Sequence, residues 1–345
     1  MEDGYDSDMS LGSQPSPALF FDTINAYQKT AALKAAIELD VFTQIAKRAV
    51  TARQLAEACG SSLRGIEILC DFLVTHGFLR KADGHYDLTP DSDFFLNRES
   101  PAYLGGTLEF LHSPLITEPF DELAETVRHG RLKSSELGTL SPDHPVWVKF
   151  ARAMSPLMMG PAMAVADLLK LDQQKPMKVL DVAASHGAYG ISVASKSHFS
   201  ELFSLDWAPV LEVAHENAEA AGLGERFKTL AGSAFEVALG DNYDVILVPN
   251  FLHHFNRQDC VRLLQKAAAA LKPGGQVVVV EYVPNPDRVS PPGIADFSLV
   301  MLATTPEGRA YTFPEYEAMM LDAGLKSPKL YPLPPSLHSA VIGNR

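Results

Sequence analysis

The stretch from Lys178 to Glu281 constrains the fold of this chain most, because apolar strand patterns alternate in it with helical ones. Strand patterns run over 178–182, up to Asp206, over 243–248 and over 276–280, and small or polar residues follow each of them. This alternation predicts an α/β fold with a mostly parallel sheet. Ligands of such sheets bind beyond the carboxyl ends of the strands, so the residues that follow each strand form the candidate site.

Composition and charge narrow the class of protein. The 345 residues suffice for two or three domains, and the formal charge of −13 argues against a nucleic-acid or anionic-membrane partner, because both require a basic surface. No apolar run reaches the roughly 18–20 residues of a membrane-spanning helix, and no secretory signal is visible, so we expect a cytoplasmic location. The three cysteines lack CxxC spacing, which predicts neither a disulfide framework nor a zinc site.

The N-terminal third has its own pattern. Residues 1–16 are acidic and rich in Ser and Gly, which predicts a flexible tail. Helical spacing covers Ala18–Ile45 with a break expected at Leu39–Phe42. Two further helices follow, the first capped by Thr51 and the second by Ser61 or Ser62. An alternating hairpin around Asp83-Gly84 completes an arrangement typical of a winged helix.

A winged helix either reads DNA or serves as a packing and dimerisation module. Residues 17–101 carry 9 Lys and Arg against 11 Asp and Glu. DNA binding requires several basic contacts to phosphates, and this segment offers few. The favoured interpretation is dimerisation.

Four segments carry a resemblance to a known family: Asp181–Gly187, Leu252–Phe255, Lys272–Gly275 and Glu281. Together they resemble the class I S-adenosylmethionine (SAM) dependent O-methyltransferases of small molecules, typified by plant caffeic-acid and acetylserotonin enzymes and their bacterial relatives. The resemblance implies a Rossmann-like SAM-binding methyltransferase domain over residues 173–345 and a winged-helix dimerisation domain over 17–100, through which a homodimer forms. It also implies that a helical region, 101–172, lines the acceptor pocket.

The cofactor SAM and its product S-adenosylhomocysteine (SAH) need a ribose ligand. Asp206 suits that role because it ends a strand and its carboxylate can accept both hydroxyls, and Trp207 could stack on adenine. The family turn Asp-x-Gly-x-Gly-x-Gly has Ala183, Ser185 and Gly187 at its glycine positions here, so two Cβ atoms stand where backbone should approach the ligand. The other expected cofactor residues are Asp181, Gly232, Ser233 (where the family usually has aspartate), Ala234, Phe235, Pro249 and Asn250.

His253 is the expected general base, because it follows a strand end at the ligand edge and an imidazole can take a hydroxyl proton near neutral pH. The resemblance aligns it with the family's catalytic histidine. His254, at the position of a usual aspartate, is the second candidate. Glu281 aligns with a glutamate that holds the catalytic ring, whereas Ala310 replaces a second such glutamate. No third residue stands at zinc-ligand spacing, so no metal is expected.

The resemblance further implies a pocket for a small apolar or aromatic acceptor, lined by Phe150, Met154, Met158 and Met301. Methionines at helical spacing are otherwise typical of a core. Gly160-Pro161 is expected to break or kink the helix that carries most of them. Arg288 and Arg309 could pair with an acceptor carboxylate, although surface positions are more ordinary for arginine.

The sequence therefore predicts methyl transfer from SAM to a hydroxyl of a small acceptor. S- or C-methylation stays open, because a thioether or carbanion needs less help from a base that has lost one glutamate. A SAM-binding enzyme of the same fold that does not methylate, and a winged-helix regulator with a vestigial cofactor domain, are further alternatives. A dinucleotide site is disfavoured, because no GxGxxG follows the first strand.

Overall fold

A computed structural model gives the fold over residues 15–48, 50–131 and 146–345, which divide into two compact units between Gly105 and Gly106. Apart from Pro15 and Ser16, the predicted tail of residues 1–16 lies outside the described residues.

The N-terminal unit combines helices with a small antiparallel sheet in the order β1-β3-β2. Its helices are α1 (Ala18–Ile24), α2 (Ala26–Glu38), α3 (Val41–Ala46), α4 (Ala52–Ala58), α5 (Leu63–Thr75) and α6 (Pro90–Leu96), and its strands are β1 (Val50–Thr51), β2 (Leu79–Ala82) and β3 (His85–Leu88).

Local sequence signals set most of these boundaries. Thr51 forms a capping box with Gln54, and Ser62 caps α5 by accepting a hydrogen bond from the Gly65 N–H. The hairpin turns at Asp83-Gly84, where both residues have positive φ as a two-residue turn requires. The break expected near Leu39 is confirmed, but a second break at Asn25, which no glycine or proline marks, separates α1 from α2.

The second unit holds a seven-stranded sheet flanked by helices. Its strands are β4 (Met177–Val182), β5 (Ser200–Asp206), β6 (Phe227–Ala231), β7 (Tyr243–Pro249), β8 (Leu271–Tyr282), β9 (Lys326–Pro332) and β10 (His338–Asn344). Its helices are α7 (Leu108–Leu111), α8 (Pro114–Thr117), α9 (Leu123–His129), α10 (Val146–Leu168), α11 (Ala188–Ala194), α12 (Ala208–Ala220), α13 (Arg257–Ala270), α14 (Pro292–Thr304) and α15 (Phe313–Asp322).

The strand order is β6-β5-β4-β7-β8-β10-β9, with β10 antiparallel to both of its neighbours and the other pairs parallel. The chain moves outward from β4 to β6 and then returns to begin β7 on the other side of β4. This reversal opens a crevice at the carboxyl ends of β4 and β7, where α/β sheets bind ligands.

Both faces of the sheet are buried, as is typical of parallel sheets. Val280 faces one apolar cluster together with Val165 of α10 and Tyr189 of α11. Val279 faces the other cluster with Leu263 of α13. The helices of the second unit therefore form a layer on each side of the sheet. None of the helices within the described residues is long and apolar enough to cross a lipid bilayer.

The predicted interruption at Gly160-Pro161 does not break the helix, because α10 runs continuously from Val146 to Leu168 with Pro156 and Pro161 inside it. An internal proline costs a helix about 3 kcal/mol. Burial of Ala162, Val165 and Ala166 in the core offsets this cost.

Asp181 in β4 is a carboxyl group without exposed surface. Its Oδ2 accepts a hydrogen bond from the Gly190 N–H at 2.8 Å, and its Oδ1 has no hydrogen-bond partner within the described residues. Burial raises the pKa of this carboxyl to about 8. The folded protein therefore retains a proton that the unfolded chain releases at a much lower pH.

Asp181→Asn is expected to remove part of the pH dependence of stability. The contribution of Asp181 is complete below the pKa of an unfolded aspartate, about 4, and is lost as the pH rises through the folded value of about 8. Urea denaturation of both proteins at several pH values in this window measures the free energy of unfolding. The wild type should lose stability toward alkaline pH more steeply than the variant. Parallel curves would contradict a protonated Asp181.

Candidate active site

The predicted catalytic pair lies at the carboxyl ends of β7 and β8, whose parallel register aligns Pro249 with Val280. A short 3-10 turn, Leu252–His254, follows β7 and lies beside Glu281. Glu281 has no exposed surface, and its Oε2 is 2.5 Å from Nδ1 of His253. Its Oε1 accepts hydrogen bonds from the N–H groups of Phe251 (2.9 Å) and His253 (3.3 Å). Three donors thus compensate for the burial of this carboxylate.

The contact with Glu281 fixes the tautomer of His253. A carboxylate can only accept hydrogen bonds, so Nδ1 carries the ring proton and Nε2 keeps its lone pair. The side chain is 6% exposed and lines the cavity described below, where the ring of Phe297 meets it edge-on at 4.8 Å. The imidazole of His253 is therefore fixed in orientation, and its basic Nε2 remains available to a ligand.

A backbone segment near Arg309 also contacts the Leu252–His254 turn. The Arg309 N–H donates to the carbonyl oxygen of His253 at 2.8 Å. A Cβ at Gly308 would lie 2.4 Å from that same oxygen, so only glycine fits there. Ala310, at the position of the second family glutamate, is buried. His253 is therefore held by hydrogen bonds at its ring, its N–H and its carbonyl.

His254 lines the same cavity, but its hydrogen bonding and its pKa differ from the usual values of an exposed histidine. Its ring lies 4.3 Å from that of His253 and 6.1 Å from that of Trp147, and its Nδ1 is buried without a partner in the described part of the chain. Burial, together with the charge that His253 can carry, lowers its pKa well below the usual value. His254 is consequently neutral at pH 7.

Sequence reasoning missed His338, the first residue of β10, which pairs with Tyr282 across the sheet. Its Nε2 lies 2.9 Å from Oδ1 of Asn250, and its Nδ1 lies 2.7 Å from the hydroxyl of Ser336. An amide oxygen only accepts, so Nε2 carries the proton and Ser336 donates to Nδ1. Burial lowers the pKa of His338 to about 4, which keeps the ring neutral. No motif marks this residue, because its partner Asn250 is distant in sequence.

The turn after β4 keeps the backbone shape that glycines would supply. Ala183 and Ser185 adopt φ angles of 55° and 52°, and Gly187 adopts 76°. A non-glycine residue in this region costs about 1–2 kcal/mol. The Ala184 N–H donates to the carbonyl of Leu205 at 3.1 Å, which ties the turn to the next strand. Ala183 and Ser185 therefore carry their Cβ atoms in a backbone conformation that favours glycine.

Asp206 at the end of β5 supports this turn. Its Oδ2 accepts from the Ser185 N–H at 2.8 Å, and its Oδ1 accepts from the Trp207 N–H at 2.7 Å. Burial nevertheless raises the pKa of the carboxyl to about 6. The Ser185 hydroxyl is also buried, and it has no partner in the regions that the structure describes. The Asp206 carboxylate, which has further lone pairs, and the unpaired Ser185 hydroxyl therefore lie in the same part of the structure.

One cavity of about 730 Å³, within the usual range for small-ligand sites, brings most of the predicted residues together. The predicted residues that line it are Ala183, Ser185, Asp206, Trp207, Gly232, Ser233, Ala234, Phe235, Asn250, His253, His254, Phe150, Met154, Met158 and Met301.

Four predicted residues lie outside the lining. Asp181 and Pro249 belong to buried strands, Gly187 caps α11, and Glu281 lies behind His253. Met159 and Met163 also point elsewhere, since they are 42% and 56% exposed.

The cavity has further lining residues that the sequence did not suggest. Phe297 and Val300 precede Met301 on α14 by four residues and one residue, so helical spacing from Met301 could have found Phe297. Phe110, Trp147 and Tyr282 carried no local signal. The remaining ones are Leu111, Ile116, Leu205, Val210, Glu236, Phe251, Phe255 and His338.

Known proteins share this architecture. An O-methyltransferase domain matches residues 120–326, and an O-methyltransferase dimerisation domain matches residues 21–98. The 3-hydroxy-5-methyl-1-naphthoate 3-O-methyltransferase of Streptomyces sahachiroi is 27% identical over 320 residues, which are 89% of this chain and 89% of that protein.

Two solved structures are similar over nearly the whole chain. A crystal structure from Nostoc punctiforme PCC 73102, assigned provisionally as an O-methyltransferase, is 51% identical with a TM-score of 0.93 and covers 96% of this chain and 100% of that one. Human N-acetylserotonin methyltransferase in complex with SAM shares the fold at 23% identity, with a TM-score of 0.81 and coverage of 97% and 99%.

These findings confirm the predicted fold class and the family resemblance. The O-methyltransferase domain alone matches more than half of the chain. The chain belongs to the family of SAM-dependent O-methyltransferases that carry an N-terminal dimerisation domain.

Proposed function

We propose that this enzyme methylates a hydroxyl group of a small aromatic acceptor and that His253 is the general base. The observation that carries the proposal is the His253–Glu281 pair, whose free Nε2 faces a cavity shared with the turn after β4. The aromatic wall of the cavity suits a flat acceptor, and the Streptomyces sahachiroi relative is named for methylating a naphthoate hydroxyl.

The residues present at the turn after β4 suit SAM. We assign the ribose hydroxyls to Asp206, whose carboxylate keeps lone pairs after its two backbone contacts. The unpaired Ser185 hydroxyl offers a hydrogen bond at the position of a family glycine. Trp207 and Ser233 are assigned to the adenine end, and both line the cavity.

Bound SAM supplies an electrophilic methyl group. Nε2 of His253 would accept the proton of the acceptor hydroxyl, and the S–CH3 bond of SAM would break as the methyl group passes to that oxygen, with SAH as the leaving group. Glu281 keeps Nδ1 protonated and stabilises the imidazolium that results. The enclosing aromatic side chains exclude water and align the acceptor, which is most of what a displacement on an activated carbon needs.

His254 is the weaker candidate for the base. No carboxylate in the described residues holds its ring, and its pKa lies well below the usual value because of burial and the neighbouring His253. Nothing in the cavity specifically favours S- or C-methylation or a non-methylating SAM enzyme. With Ala310 at the second glutamate position, Glu281 is the one carboxylate that contacts the His253 ring among the described residues.

We further propose that α1 and the start of α2 form the homodimer interface within the dimerisation domain. Leu19, Phe20, Phe21 and Tyr27 are each more than half exposed, an unusual density of exposed large apolar side chains for one short segment.

His253→Ala is expected to lower kcat by about 10²–10⁴, because no base then takes the proton of the substrate hydroxyl. Release of SAH with the best hydroxyarene of a panel measures kcat, and calorimetry measures SAH binding, which this variant should retain. Asp206→Ala serves as the converse control and should weaken SAH binding. Wild-type turnover in His253→Ala would rule out His253 as the base.

Gly308→Ala is expected to lower kcat by about 10-fold or more, because the new methyl group displaces the carbonyl of His253 and with it the ring. Gly160→Ala is the matched control, since a Cβ there meets nothing within 4 Å. The KM for SAM should change little in either variant. Equal kcat values in the two variants would show that the turn tolerates displacement.

Phe20→Glu combined with Phe21→Glu is expected to convert the dimer into a monomer, because two charges would be buried at the interface. Light scattering after gel filtration measures the mass. Leu321→Glu, an exposed apolar position in the second unit, is the control and should stay dimeric. A dimeric double variant would place the interface elsewhere.

A further inference from the structure

The charge of the cavity restricts its acceptor more than its size does. Among the described residues, no lysine or arginine lines the cavity. The two carboxylates that do, Asp206 and Glu236, lie with the turn and strand ends assigned to SAM. The acceptor side is built from aromatic, methionine and histidine side chains.

Two of the three histidines of the acceptor side are neutral, and the third already faces a buried carboxylate. Both ring nitrogens of His338 are engaged, with Asn250 and with Ser336, and burial keeps this ring neutral. His254 is neutral for the same reason. His253 is paired with Glu281, whose buried carboxylate would repel a second anion nearby.

The two arginines that were candidates for binding an acidic acceptor do not line this cavity. Arg288 donates to Glu315 at 2.8 Å, and the guanidinium of Arg309 lies over the ring of Tyr311 at 5.9 Å. Both line a separate cavity next to α14 and not the one that contains His253. Among the described residues, an acceptor carboxylate would therefore find no cationic partner to offset its desolvation, whereas a neutral ring would gain edge and face contacts.

We propose that the acceptor is an uncharged hydroxyarene, a flat phenol or enol without carboxylate or phosphate, and that the cavity selects against anions. The proposal rests on the function proposed above and narrows its substrate class. It separates this chain from its naphthoate-methylating relative, whose named substrate is an anion.

Two probes with the same ring system, one anionic and one neutral, test the proposal: 3-hydroxy-1-naphthoic acid and its methyl ester. Turnover is followed by SAH release. The kcat/KM for the ester should exceed that for the acid by about 100-fold or more, because the acid leaves a charge unpaired. Methylation of the acid with equal efficiency would overturn the proposal.

Binding gives a second measurement that does not depend on catalysis. Both tryptophans of the chain, Trp147 and Trp207, line the cavity, so intrinsic fluorescence reports on it directly. Titrations of full-length protein with and without SAH should show quenching by the ester and much weaker quenching by the acid, with Trp147→Phe removing most of the signal. Tighter or equal binding of the acid, or no binding of the ester, contradicts the inference. If the ester binds selectively but is never methylated, the proposed function fails while the charge selection stands.

A designed cation provides the converse test. Val300 is partly buried on α14 and lines the cavity, so the long side chain of Val300→Arg can reach an acceptor carboxylate there. This variant should narrow the ester-to-acid ratio of affinities by about 10-fold through the new ion pair. Val300→Gln, similar in length but neutral, should not. An unchanged ratio in Val300→Arg would show that charge is not the selector.

Discussion

The buried contact between Glu281 and His253 organises the candidate site. Glu281 has no exposed surface, and its two oxygens receive the Phe251 N–H, the His253 N–H and the His253 ring. A buried carboxylate that lost these donors would be strongly destabilised, so the turn after β7 has one stable arrangement. The parallel register of β7 and β8 brings the two residues together although 28 positions separate them. The orientation of the His253 ring is thus a consequence of the sheet.

The turn after β4 is held by a different set of contacts. A tight turn with positive φ is usually formed by glycine. Here Ala183 and Ser185 adopt that conformation, and the structure compensates with the Asp206–Ser185 and Ala184–Leu205 hydrogen bonds. Strain concentrated at one turn is typical of functional sites. In return, Ser185 brings a hydroxyl that a glycine does not have.

Predictions from local sequence succeeded where the deciding contacts are local. Thr51 and Ser62 cap their helices through residues three positions away, and the Asp83-Gly84 turn depends on its own two φ angles. The sequence predicted a break or kink at Gly160-Pro161, and no break occurs there because burial of α10 against the sheet outweighs the lost helical hydrogen bond. The methionines of α10 similarly divide between the cavity and an exposed face, a distinction that depends on how the helix is rotated.

By itself, the sequence determined the α/β class, the family and the residues at the ends of β4, β5, β7 and β8, because parallel strands with alternating helices necessarily gather their carboxyl ends at one edge. Only the tertiary structure decided what completes the site. His338 reaches Asn250 across 88 positions on an antiparallel strand, and Phe110, Trp147 and Phe297 converge from separate helices. It also placed Arg288 and Arg309 outside the cavity. Such contacts arise from the packing of distant elements, and no periodicity or motif along the chain encodes them.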